Sequence, residues 1–121
     1  MGLLNLKFVK GVSDIDYDVM EFHGEFDQST FDDAEQRSNA FLSNFERRFL
    51  ILDLTDLKFI NREGIGFLVS MHTKLVKKGK NLLIFGAKHN VTDVFELVGL
   101  PQIISIFSSM NEAIKFIKKN Y

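Results

Sequence analysis

Asn61-Arg62-Glu63-Gly64-Ile65-Gly66 lies where an apolar run gives way to a helical pattern, and its residue types suit a functional surface. The first N–H groups of a helix lack intrahelical partners and favour negative charge, so such a turn is a ready place for an anion. This chain puts a fixed carboxylate, Glu63, there, and Asn61 is placed to cap the same turn. Gly64 and Gly66 half-match a dinucleotide-binding loop, but the third glycine is missing. The next apolar run ends in Gly86-Ala87 without the acidic residue that holds a ribose, and Glu63 would repel a pyrophosphate.

Other chemistry is poorly provided for. The chain has no Gly-Lys-Ser/Thr phosphate loop and no Gly-x-Ser-x-Gly elbow. With no cysteine it has no disulfide scaffold, thiolate nucleophile or thiolate metal site. His72 falls on an apolar stripe and is expected to be a core or rim histidine bonded to backbone. His23 and His89 join it in no metal-ligand spacing. Asp53 and Asp56 read as strand-end and turn carboxylates, while Lys77, Lys78, Lys80, Lys118 and Lys119 read as cations at helix ends. The expectation is a non-enzyme with no catalytic residues, no cofactor and no metal.

The elements that must position the 61–66 turn follow from periodicity. Leu3–Val9 and Tyr17–His23 are short strands joined by a turn at Gly11-Val12-Ser13-Asp14, and Gly24-Glu25-Phe26-Asp27 breaks the second. Ser29 and Thr30 open a helix with Asp32 and Asp33 in its first turn. Phe49–Leu54 reads as a strand covered on both faces, and a helix from Glu63 to about Lys78 ends at Gly79. Leu82–Phe85 is a strand, Asn90 caps a short helix stopped by Gly99 and Pro101, and Ile103–Phe107 is the last strand. Ser109 and Glu112 form a capping box for a terminal helix. The order β-β-α-β-α-β-α-β-α predicts one α/β domain over residues 1–121. Its mostly parallel sheet has about five strands, one of them an antiparallel edge strand, and carries about four helices.

On a wheel of the 63–78 helix, Ile65, Leu68, Val69, His72, Leu75 and Val76 share a core stripe. Phe67 and Met71 fall on the other side beside Lys74 and Lys78, and are expected to be accessible as a partner-binding patch. Charge is balanced, with 15 Lys and Arg against 16 Asp and Glu, which gives no nucleic-acid or membrane footprint. The amino terminus lacks a secretion signal and no apolar stretch is long enough to span a membrane, so a soluble cytoplasmic protein is expected.

Several segments together resemble the STAS domain of bacterial anti-sigma factor antagonists. They are Gly24-Glu25-Phe26-Asp27, Ile51-Leu52-Asp53-Leu54, Phe59–Gly66, Glu96-Leu97-Val98-Gly99-Leu100 and Ile106-Phe107-Ser108-Ser109, in the family's order. The resemblance implies a protein that binds a kinase-type anti-sigma factor and is switched off by phosphorylation of a serine or threonine at a helix start. The family pattern there is Asp-Ser-Ser/Thr-Gly-Ile/Leu, where this chain has Asn61-Arg62-Glu63-Gly64-Ile65. Glu63 thus takes the phosphosite-equivalent position, and no hydroxyl remains in the loop.

The implied partner is an anti-sigma factor or a related ATP-binding Ser/Thr kinase. The expected contact residues are Asp27, Ser29, Thr30, Asn61, Arg62, Glu63, Gly64, Ile65, Phe67 and Met71. The alternative expectation is a sensor that binds a nucleotide or lipid at the same helix N-terminus.

Overall fold

Strands alternate with helices, and the computed structural model, which describes residues 2–12 and 14–120, turns that alternation into one mixed sheet. In chain order the elements are β1 (Leu4–Lys10), β2 (Tyr17–Phe26), α1 (Phe31–Ser43), β3 (Phe49–Ile60) and α2 (Arg62–Lys77). They continue with β4 (Asn81–Phe85), α3 (His89–Val98), a 3-10 turn at Leu100–Gln102, β5 (Ser105–Phe107) and α4 (Met110–Asn120). The sheet order is β1-β2-β3-β4-β5. β1 pairs antiparallel with β2, and every later pair is parallel. The predicted hairpin turn includes Ser13, which lies outside the described residues.

β3 shows why a continuous apolar run means a strand buried twice. Leu50, Leu52 and Leu54 enter a large core beneath α1, α2 and α3, while Phe49 and Ile51 enter a smaller one under α4. β3 runs on through the polar step Thr55-Asp56 to Ile60, and β2 runs through Gly24 to Phe26, so both strands outlast their predicted ends. Two register shifts let β3 spend extra residues opposite β2 and bring Leu57 and Ile60 back to the large core. Gly24 sustains β2 because it takes φ 117° and lies against the Leu3 carbonyl, where a side chain has no room.

The capping predictions held in part. Gly79 and Gly99, at φ 75° and 74°, end α2 and α3 as expected. α3 begins two residues early, with Lys88 rather than Asn90 at its N-cap. The Asn90 amide instead donates to the Lys58 carbonyl at 3.0 Å, in the part of β3 that β4 is too short to reach. Ser109 caps the Glu112 N–H at 3.2 Å, but Glu112 reaches back to Ser108 rather than to Ser109. The last strand is shorter than predicted, beginning at Ser105.

The largest correction concerns α2. Phe67 and Met71 are buried, at 6% and 1% exposure, whereas Val76 is 50% exposed and Val69 and His72 are half-buried. The buried stripe of Gly64, Ile65, Phe67, Leu68, Met71 and Leu75 is centred about a quarter of a turn from the predicted one. The helix beside it supplies the reason. Phe67 meets Phe31 of α1 edge-on at 6.1 Å, and Lys74, exposed two turns further on, donates to Asn39 of α1 at 3.3 Å. This flank faces a neighbouring helix, so it is covered just as the sheet-facing side is. His72 also departs from expectation, since its Nδ1 is buried without a hydrogen-bond partner among the described residues.

Truncating Phe67 to alanine should therefore cost about 3–5 kcal/mol, the usual loss for a buried phenylalanine. Urea denaturation of Phe67→Ala checks this, and a shift below about 1 kcal/mol would return Phe67 to the surface.

Candidate functional site

Two loops meet above the carboxyl ends of β2 and β3. Phe26 and Ile60 are paired at the strand ends, and the Asn61 N–H donates to the Phe26 carbonyl at 3.0 Å. β2 then turns through Asp27–Thr30 into α1, and β3 turns at Asn61 into α2. The Phe26 ring packs on Phe31 at 6.1 Å and on Phe67 at 5.6 Å, so the first residue of α1 and the second turn of α2 share one aromatic floor.

The Asp27 loop is braced internally. The Asp27 carboxylate accepts from the Ser29 hydroxyl at 2.6 Å, the Ser29 N–H at 2.9 Å and the Thr30 N–H at 3.2 Å. Thr30 Oγ1 accepts from the Asp27 N–H at 3.0 Å and lies 3.0 Å from the Glu25 carbonyl, its donor target. The Ser29 hydroxyl bond, with the backbone donors of Ser29 and Thr30 behind it, holds the Asp27 carboxyl below the usual carboxylate range against the opposing effect of burial.

The α2 turn is capped as its sequence predicts: Asn61 Oδ1 accepts from the Gly64 N–H at 2.8 Å. Arg62 and Glu63 are exposed in the first helical turn, and neither side chain has a partner among the described residues. Their N–H groups have no intrahelical acceptor. Gly64, expected among the contact residues, is buried for a steric reason. A Cβ there would stand 2.7 Å from Ile60 Cγ1 and 3.0 Å from the Phe26 ring. Gly66 has open space around it.

The fold brings the predicted residues of both loops together but divides them by exposure. Ser29, Arg62 and Glu63 face solvent, and Asp27 and Asn61 are half-buried. Thr30, Gly64, Ile65, Phe67 and Met71 lie beneath them and set the loops' positions. One exposed aromatic escaped the sequence reading, Phe59, at 46% exposure. Its signal was present, because consecutive residues of a strand point to opposite faces and Ile60 takes the core side. Among the described residues no group of three or more His, Asp or Glu side chains is placed to hold a metal, and no helix is long and apolar enough to cross a membrane.

A family model for the STAS domain matches residues 9–113. The anti-sigma-B factor antagonist of Listeria monocytogenes is 32% identical over 57 residues, covering 47% of this chain and 50% of that protein. The chain spans about half the length of the curated relatives it matches. Among solved structures, an anti-sigma factor antagonist from Mycobacterium paratuberculosis superposes with a TM-score of 0.79 at 19% identity, covering 98% of this chain and 95% of that one. The anti-sigma factor antagonist SpoIIAA in its unphosphorylated form gives 0.74 at 16% identity, covering 97% of each chain. At such identities the structural likeness shows the fold alone.

Two expectations follow from the geometry. Gly64→Ala should destabilise by about 1–3 kcal/mol through overpacking, despite the better helix propensity of alanine. Gly66→Ala should stabilise by up to about 1 kcal/mol, and thermal melts of the two variants should move in opposite directions. The second concerns acid. A lowered folded-state pKa at Asp27 contributes stability that is present above the ordinary carboxylate range and lost as pH falls through the lowered value. The stability gap between wild type and Asp27→Asn should hold steady above about pH 5 and shrink below about pH 4. A gap unchanged down to about pH 2 would show that the charge plays no part.

Proposed function

This chain belongs to the STAS domain family, and from that premise we propose that it is a non-catalytic regulator of the anti-sigma factor antagonist kind. It docks the exposed Arg62–Glu63 turn and the adjoining Asp27–Ser29 loop onto an anti-sigma factor or a related ATP-binding switch kinase. The observation that carries this reading is the pair of unpartnered charged side chains on the first turn of α2, held beside a loop that is already rigid. Preorganised loops lose little entropy on docking, and unpaired exposed charges give a partner something to complement. The family match and the named antagonists of the same fold support the class of partner.

Glu63 occupies the position where the family carries its phosphorylated hydroxyl, so the usual phosphoswitch is absent from this turn. Glutamate carries one negative charge and reaches less far than a phosphoserine, which carries about −1.5 to −2. A partner that presents a basic group to Glu63 would bind this chain constitutively. The small-ligand alternative is less favoured, because Glu63 presents a carboxylate at the turn where a nucleotide phosphate or lipid headgroup would bind.

Calorimetric titration of wild type and Glu63→Ser against the cognate anti-sigma factor tests the proposal. The serine variant should bind more weakly by about 1–3 kcal/mol, the value of a charged hydrogen bond. Wild type incubated with the partner and ATP should remain unphosphorylated at residues 61–64. Tighter binding by Glu63→Ser would show instead that Glu63 imitates phosphate and holds the chain in a silenced state.

A further inference from the structure

The seam between α1 and α2 is filled with aromatic side chains at the end near the site and opens into a groove of about 290 Å³ at the other. Its apolar lining is Leu42, Phe45 and Leu75, each almost wholly buried. Around them stand four lysines, Lys74, Lys77, Lys78 and Lys80, and no carboxylate lines the groove. Glu46, beside Phe45 in sequence, lies outside it.

Lysines near helix C-termini have a plain explanation in the helix dipole, and the magnitudes show how far it goes. The α1 and α2 ends supply roughly half a negative charge each, so about one of the four ammonium charges is offset. Lys80 is further tied down, donating to the Arg47 carbonyl at 3.0 Å and standing 5.4 Å from the Phe45 ring centre. Lys74 reaches Asn39 at 3.3 Å. Lys77 and Lys78 have no partner among the described residues. An apolar floor under a rim of uncompensated positive charge complements a molecule that is apolar at one end and anionic at the other.

We propose that this groove binds a single-chain anionic amphiphile, an acyl chain ending in a carboxylate. The chain lies on Leu42, Phe45 and Leu75, and the head meets Lys77 and Lys78. The groove is at the low end of the ~300–1,000 Å³ typical of small-molecule sites, which favours one short chain over a diacyl lipid. The site is at the opposite end of α2 from the Arg62–Glu63 turn and stands independently of the docking proposal.

Calorimetric titration of the full chain with dodecanoate, below its micelle concentration, should show saturable binding at one site. Lys77→Glu/Lys78→Glu should weaken it at least about tenfold. Ser43→Phe, which fills the groove from an exposed position on its rim, should do the same. All three altered residues are exposed, so both variants should keep the wild-type melting temperature. Dodecyltrimethylammonium, with the same chain and the opposite head, should bind at least about tenfold more weakly. The proposal is overturned if inorganic phosphate binds as tightly as dodecanoate, if the cationic amphiphile does so, or if neither variant changes the affinity. It is equally overturned if the protein binds phosphatidylglycerol vesicles but not monomeric dodecanoate.

Discussion

The close approach of Gly64 to the Phe26 ring is the constraint on which the site depends. Phe26 ends β2, its carbonyl receives the Asn61 N–H, and its ring touches Phe22, Phe31 and Phe67. It therefore joins the sheet, the start of α1 and the start of α2 at one point. A β-carbon at Gly64 would lift the first turn of α2 off that ring and carry Arg62 and Glu63 with it. The exposed charges owe their position to a missing side chain beneath them.

The same junction explains why the two loops differ in character. One oxygen of the Asp27 carboxylate gathers Ser29 and Thr30, so its loop is braced from within. Asn61 closes the turn of α2 with one bond to Gly64 and leaves the side chains of the next two residues free. One loop supplies shape and the other supplies charge.

Most of the fold was legible in the sequence because its strongest signals are local. The apolar run at Phe49–Leu54, the glycines at 79 and 99 and the asparagine at 61 each report a backbone requirement met within a few residues. The errors arose where the deciding neighbour was distant. β2 and β3 outlast their apolar runs because they pair with each other through two bulges, which no single strand's pattern discloses. Phe67 and Met71 were expected on the surface because a helical wheel knows one helix. Their burial is set by α1, whose Phe31 is 36 positions away from Phe67 in the chain. Asn90 missed its cap for a similar reason, being drawn to a strand carbonyl that lacked a neighbour.

The fold also separates two kinds of surface by its topology alone. Each helix follows a strand and returns antiparallel to it, so all four N-termini lie at one edge of the sheet and the C-termini at the other. Three helices carry carboxylates in the first turn, at Asp32, Asp33, Glu63 and Glu112. Two carry cations in the last turn, at Lys74, Lys77, Lys118 and Lys119. On α1 and α3 the last turn holds no base, so the dipole does not dictate the pattern at every helix. The seam between α1 and α2 joins the two ends. Large side chains close it near the Glu63 turn, where burial fixes the geometry of the charges above. It opens near Lys77, where smaller contacts leave an apolar floor within reach of unpaired ammonium groups. One helix thus presents its acidic start and its basic end to different surroundings, and a ligand at the lower end would reach the Arg62–Glu63 turn only through the packed residues between them.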